Sequence, residues 1–124
     1  MKAKIVRDSA GLFYGIQYRC PCDDEGCGLT TLPVNWRPAG ESAESPHQAG
    51  HPHWSFNGDF EKPVFGPSVL NTWSEWQGHG KPGKPHVCHS FIGCNGAQPG
   101  QIILLGDCTH GLKGQTVDLP EIEP

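Results

Sequence analysis

The sequence predicts a small all-β domain, either a sandwich or a partly open barrel of short antiparallel strands with long loops rich in proline and glycine. Three observations favour this fold class. Apolar and polar side chains alternate with a period of two in several short runs, which is typical of strands. Gly, Pro, Asn or Asp stands in nearly every gap between those runs, as turns require. No window of a dozen residues has helical apolar spacing without a helix breaker.

Seven runs are predicted to be strands, within an expected total of about six to eight. The clearest run alternates from Leu12 to Tyr18, with Tyr14 and Ile16 on the same face. In chain order the runs are residues 5–7, 12–18, 30–36, 54–57, 68–72, 87–92 and 101–105. Residues 37–52 and 74–86 carry almost no large apolar side chains and are predicted to be long surface loops. Loops of this length are usually functional or disordered.

The composition fits one domain over residues 1–124 whose core needs an additional crosslink. Only 35% of the 124 residues are hydrophobic, and the 17 Gly and 12 Pro together make up nearly a quarter of the chain. Four Trp, five Phe and two Tyr still predict an ordered core. Small domains with so little core usually depend on a disulfide or a metal ion.

The N-terminus favours a metal ion over disulfides, although six cysteines could form three pairs. The polar residues 1–8 are followed by no apolar segment of the kind found in secretory signals. No run approaches the roughly 20 apolar residues of a membrane span. The sequence therefore predicts a cytoplasmic protein with reduced thiols and no membrane partner.

The charge distribution disfavours nucleic acid as a partner. The formal net charge is −4, and the Lys and Arg residues are scattered along the chain. The one basic run, at residues 81–86, is too short to follow a phosphate backbone.

Three cysteine clusters provide candidate metal ligands from distant parts of the chain. Cys20 is followed by Pro and Cys27 by Gly, so the two resemble the ends of a zinc knuckle, stretched to contain Cys22. Cys88 and Cys108 each add one thiolate, and a site of four sulfurs is the closed, structural type. The preferred ligands of one structural zinc ion are thus Cys20, Cys27, Cys88 and Cys108.

Two histidines are alternate ligands, and strand geometry distinguishes them. Neighbouring residues of a strand point to opposite faces, so Cys88 and His89 are not expected to bind the same ion. His110 would share a side with Cys108 in an extended segment, so it could replace a thiolate. Asp107 is a candidate for orienting an imidazole from outside the ligand set.

Other cysteines and histidines are expected to have ordinary roles. Cys94, in a Gly-Cys-Asn-Gly turn, is expected to be a buried thiol that binds no metal. His47, His51 and His53 are expected to be solvated residues of the first long loop, although three histidines on such a loop could bind copper, nickel or zinc.

Several segments together resemble the DUF6527 family of small phage and prophage proteins of unknown function. The family's typical order is a C-P-x-C-G knuckle, W-x-F-N-G-D, P-T-F-x-P-S, C-H-S-F and D-C-T-H-x-L-x-G-Q-x-V-x-L-P. This chain matches with WSFNGD at 54–59, PVFGPS at 63–68, CHSFI at 88–92 and DCTHGLKGQTVDLP at 107–120. It departs from the family in the stretched knuckle and in Thr31, where a His is common. The resemblance implies a metal and a phage context, in the host cytoplasm or the virion, and adds no activity.

The favoured function is a zinc-binding β-domain with a structural or protein-interaction role, as a virion component or a host-factor binder, rather than an enzyme. Trp76, in the second predicted loop, and Trp73, directly before that loop, are candidate anchors for a protein partner. The first alternative is a metal-dependent hydrolase that uses Cys88, Cys108 and His110, with Asp107 or Asp59 as the base.

The second alternative is a small-molecule or nucleotide-binding protein that sequesters its ligand. Trp54, Asn57, Asp59 and Ser68 combine aromatic and polar groups as small-ligand pockets do. The same residues also fit turn formation, because Asn-Gly is a hairpin signal. A homo-oligomer would favour this alternative.

Overall fold

The computed structural model describes residues 1–21, 28–76, 82–109 and 111–123, without the side chains of residues 73–76 and 82–85. In this part of the chain, eight strands form two antiparallel sheets, and a 3₁₀ turn spans Pro46–Gln48. The prediction of an all-β fold is confirmed. The strands are β1 (Lys4–Arg7), β2 (Phe13–Arg19), β3 (Leu29–Leu32), β4 (Ser55–Phe56), β5 (Phe65–Trp76), β6 (Pro82–Ile92), β7 (Gln101–Leu104) and β8 (Thr116–Asp118).

The first sheet has the order β1-β2-β3 and buries one face of β2. Val6 pairs with Gly15 and Arg7 pairs with Phe13, so Tyr14 is an extra residue on β2. This bulge exchanges the two faces of the strand. Phe13 is therefore buried together with Ile16, whereas simple alternation predicted that Tyr14 would share the face of Ile16.

The predicted strand at residues 30–36 is shorter in the structure. β3 ends at Leu32 because Pro33 has no N–H to donate to a neighbouring strand. Beyond it, Val34 forms only an isolated bridge with Trp54, where Asn35 N donates to the Trp54 carbonyl at 2.9 Å. This bridge joins the end of the first sheet to the start of the second.

The second sheet is a meander of five strands in chain order, β4-β5-β6-β7-β8. The prediction of a surface loop at residues 74–86 is wrong: Ser74 pairs with Pro85, and Trp76 pairs with Pro82, inside the long β5–β6 hairpin. Residues 77–81 lie outside the described part. Among the described pairings, β6 contacts β7 only from residue 90 onwards, so its first half has β5 on one side only. Prolines are tolerated at such an edge because half of the backbone N–H groups need no partner strand.

The loop at residues 37–52 is held against the first sheet. Ser45 N donates to the Phe13 carbonyl at 2.7 Å, and the Gln48 side chain donates to the Tyr14 carbonyl at 3.0 Å. Ser45 is completely buried. The loop has no strand, as predicted, but its central turn packs on β2.

One hydrophobic core contains residues from both sheets. The rings of Tyr18 on β2 and Phe65 on β5 lie 5.7 Å apart, and Asn71 of β5 donates to Thr30 of β3 at 3.5 Å. A cluster of aromatic rings extends the core, with Trp36 packed edge-on against neighbouring Phe rings. No helix in the described residues is long and apolar enough to cross a membrane. The buried hydrophobic residues of the core are Ala3, Phe13, Ile16, Tyr18, Cys20, Leu32, Val34, Phe65, Val69, Cys88, Ile92, Ile102, Leu104, Cys108 and Leu119.

Gly15 faces the backbone of β3 so closely that a methyl group does not fit. A Cβ there would lie 2.5 Å from the Leu32 carbonyl oxygen and 3.0 Å from Thr31 Cγ2. We expect Gly15→Ala to lower the free energy of unfolding by about 1–3 kcal/mol, because two paired strands must separate. Gly106→Ala is the control, since no described atom lies within 4 Å of its Cβ position. Urea unfolding measures both variants, and equal stability would contradict this close approach.

Candidate metal centre

Three of the four preferred zinc ligands are buried in the core between the two sheets. Cys20 follows β2, Cys88 lies in β6, and Cys108 lies in the turn after β7, with exposed fractions of 4%, 2% and 4%. The backbone N–H of Cys20 donates to the Gly28 carbonyl at 2.9 Å, which closes the base of the predicted knuckle. Three cysteines that are far apart in the sequence therefore lie in the same core.

The shortest contact between ligand candidates joins the sulfurs of Cys20 and Cys88, which lie 3.5 Å apart. A disulfide requires about 2.05 Å, so the two sulfurs are not bonded. Two sulfurs that bind one zinc ion at about 2.3 Å in a tetrahedron lie about 3.8 Å from each other. The observed contact is close to that separation.

Cys108 is held beside this pair by the backbone of β6. Its sulfur accepts the His89 N–H at 3.2 Å and lies 3.2 Å from the His89 carbonyl, to which its thiol donates. Thr109 continues the pairing, because its N–H donates to the Val87 carbonyl at 3.0 Å. Hydrogen bonds from backbone N–H groups to sulfur are the kind of contact that orients a thiolate ligand.

The surroundings of Cys88 favour a protonated thiol unless a cation is present. A hydrogen bond with Cys20, then burial, then the neighbouring Cys20 and Cys108 groups raise the pKa of Cys88 far above its usual range. Burial likewise raises the pKa of Tyr18, whose hydroxyl bonds with Thr30 and Ser90 next to the cluster. A bound divalent cation reverses this tendency, because it deprotonates the thiols that bind it.

The described residues do not by themselves complete a metal site. Among them, no group of three or more His, Cys, Asp or Glu side chains is arranged to hold an ion. The preferred ligand Cys27, the alternate ligand His110 and the additional thiol Cys22 lie outside the described residues.

His89 points away from the sulfurs, as strand alternation predicts. Its Nδ1 lies 3.1 Å from Asp107 Oδ2, and its Nε2 lies 3.2 Å from Ser68 Oγ. Asp107 thus contacts the imidazole of His89, whose two ring nitrogens are both engaged away from the thiols. Its expected role beside a metal-binding imidazole stays a prediction. Ser68, His89 and Asp107 are predicted from the sequence to belong to different sites, because no spacing rule links positions in three separate strands and turns.

The residues of the predicted ligand pocket mainly support a turn. Asn57 Oδ1 accepts the N–H groups of Asp59 and Val64, and Asp59 Oδ1 accepts those of Glu61 and Lys62. These bonds hold the loop between β4 and β5. They agree with the alternative interpretation of both residues as turn formers.

Of the three tryptophans that were candidate binding residues, the structure describes the side chain of one. Trp54 is partly buried against the core, and its Nε1–H donates to the Ser68 carbonyl at 3.0 Å. Trp73 and Trp76 lie in β5, but their side chains are outside the described set.

The remaining histidine and cysteine candidates have local contacts. His53 Nε2 lies 3.0 Å from Glu44 Oε1, and Glu44 also pairs with Arg37 at 3.1 Å. Cys94 is half-buried and its thiol donates to the Phe65 carbonyl at 3.5 Å. His47 and His51 belong to the same loop, where both are exposed.

Comparisons with protein-family models, with curated proteins and with solved structures found no match to this chain. The resemblance to the DUF6527 family therefore stays a prediction.

Asp59 provides a test of the turn that it holds. Hydrogen bonds from the backbone N–H groups of Lys62 and Glu61 lower its pKa. The ionised carboxylate therefore stabilises the folded state above the ordinary Asp pKa, and this contribution is lost as the pH falls through the lowered folded-state pKa. We expect Asp59→Ala to lower the Tm at neutral pH, with a difference from wild type that narrows below about pH 4. Thermal unfolding followed by circular dichroism checks this, and a difference that widens in acid would contradict it.

Proposed function

We propose that the protein is a zinc-stapled β-domain with a structural or protein-interaction role. The observation that carries the proposal is the 3.5 Å contact between the sulfurs of Cys20 and Cys88, one from each sheet. Both thiols are buried in a small core, and thiolate sulfur is a ligand that zinc prefers in structural sites. One ion there would crosslink the two sheets.

The proposed ligand set is Cys20, Cys27, Cys88 and Cys108. Cys108 is supported by its contact with β6, which holds its sulfur beside that of Cys88. Cys27 is supported by the hydrogen bond between Cys20 and Gly28, because this bond brings the chain back next to the cluster directly after residue 27. Four thiolates make a closed tetrahedral site, which contributes folding energy and leaves no open position for a substrate.

The proposed binding role is supported by apolar residues that remain exposed on the strands. Leu29 on β3 and Leu70 on β5 are 50% and 57% exposed, although both belong to strands. A protein partner would cover such exposed apolar side chains, and in a phage context that partner would be a virion component or a host factor. The hydrolase alternative gains no support from Asp59, whose carboxylate is bound within its own turn.

Removal of one proposed ligand should release the metal and unfold the protein. Structural zinc contributes about 10–16 kcal/mol in small metal-dependent domains, which is comparable to the whole stability of a typical domain. We expect Cys88→Ala and Cys108→Ala each to lose zinc and cooperative thermal unfolding. Elemental analysis and native mass spectrometry of untagged protein measure the metal content, and the native masses also report any homo-oligomer.

Cys94→Ala is the matched control, because Cys94 lies apart in the turn after β6. It should retain one zinc ion per chain and a cooperative unfolding transition. Unchanged metal content and Tm in both Cys88→Ala and Cys108→Ala would refute the structural site.

A further inference from the structure

On the outer face of the second sheet, a histidine makes hydrogen-bond contacts with a serine on one side and an aspartate on the other. His89 Nε2 lies 3.2 Å from Ser68 Oγ, and His89 Nδ1 lies 3.1 Å from Asp107 Oδ2. The side chains of His89 and Asp107 are 26% and 58% exposed, so solvent reaches this group of residues. It lies on the face opposite to the buried Cys88.

Separate parts of the sheet hold the three side chains in place. Ser68 lies in an irregular stretch of β5 between Phe65 and Val69, and such irregularities redirect side chains. The Trp54 indole N–H donates to the Ser68 carbonyl at 3.0 Å, which restrains the Ser68 backbone.

The turn that carries Asp107 is tied to β6 on both sides. Leu105 N donates to the His89 carbonyl at 2.9 Å, and Thr109 N donates to the Val87 carbonyl at 3.0 Å. Cys108 N closes the turn onto the Leu105 carbonyl at 3.1 Å. The carboxylate of Asp107 is therefore presented to His89 by a hydrogen-bonded scaffold.

The order of contacts defines the positions of the protons. A carboxylate only accepts hydrogen bonds, so Nδ1–H of His89 donates to Asp107. In the neutral imidazole, Nε2 is then the acceptor of a hydrogen bond from the Ser68 hydroxyl. A nucleophile next to a base, with the base oriented by a third group, is the arrangement that activates serine in hydrolases on unrelated folds.

We propose that Ser68 is a nucleophile activated by His89, with Asp107 as a positioning residue, and that it accepts acyl groups from uncharged esters. In this reaction Ser68 Oγ bonds to the ester carbonyl carbon while its proton passes to His89 Nε2. The carbon–oxygen bond to the alcohol then breaks, and the alcohol leaves with the proton from His89. A water molecule then attacks the acyl-serine in the same way, with His89 taking its proton and returning it to Ser68, and the carboxylic acid is released.

The neighbours of His89 indicate the substrate class. Leu70 pairs directly with His89 across the two strands and is 57% exposed, so an apolar acyl group has a surface beside the base. The carboxylate of Asp107 makes the same surface unfavourable for an anionic substrate. A neutral ester with an apolar acyl chain fits both features.

The direct test is covalent labelling of the purified full-length chain. An alkyl fluorophosphonate and p-nitrophenyl butyrate are the probes, with intact mass and peptide mapping as the readout. We expect one adduct, on Ser68, formed at least about 100-fold faster than in His89→Gln, since a general base contributes about 10²–10⁴-fold. Ser55→Ala is the matched control, because Ser55 donates only to the Gly66 carbonyl and should label like wild type.

Three further substitutions distinguish a loss of Ser68 reactivity from a loss of folding. Ser68→Ala should lose the adduct and keep the wild-type Tm and zinc content. Asp107→Asn should slow labelling at least tenfold, with partial recovery in Asp107→Glu, since the carboxylate sets the imidazole tautomer. The proposal is overturned if neither probe labels Ser68, or if Ser68 reacts equally fast in folded His89→Gln. The zinc site does not enter either result.

Discussion

Alternation of side chains along β6 is the constraint on which the two candidate sites depend. Cys88 points inward, where its sulfur lies 3.5 Å from that of Cys20 on the other sheet. His89, the next residue, points outward and contacts Ser68 and Asp107. One strand therefore presents a thiol to the core and an imidazole to solvent, and a shift of register by one residue would exchange them.

The turn after β7 contributes one side chain to each of the two candidate sites. Asp107 projects towards the outer imidazole, and the neighbouring Cys108 sulfur accepts the His89 N–H from the inner side. The bonds of this turn to β6 thus position a carboxylate and a thiol together. A change that displaced the turn would alter both sites, whereas substitution of one side chain need not.

Small core size explains why a crosslink at the cysteines matters. The two sheets have three and five strands, and the rings of Tyr18 and Phe65 are in contact between them. A domain of this size buries a modest fraction of its unfolded surface, so its stability margin is narrow. An ion that joins the end of β2 to β6 would add a constraint between the two sheets.

The sequence by itself determined the all-β class, the positions of most strands and the cysteines that converge, because strand periodicity, turn residues and ligand type are local properties. Tertiary structure decided the rest. The bulge at Tyr14 changed which face of β2 is buried. Pro82 and Pro85 lie in a hairpin where a loop was predicted, in the part of β6 whose described strand pairing is with β5 alone. Ser68, His89 and Asp107 lie close together because strands and a turn that are far apart in the chain pair with one another. No local sequence pattern specifies such long-range pairing.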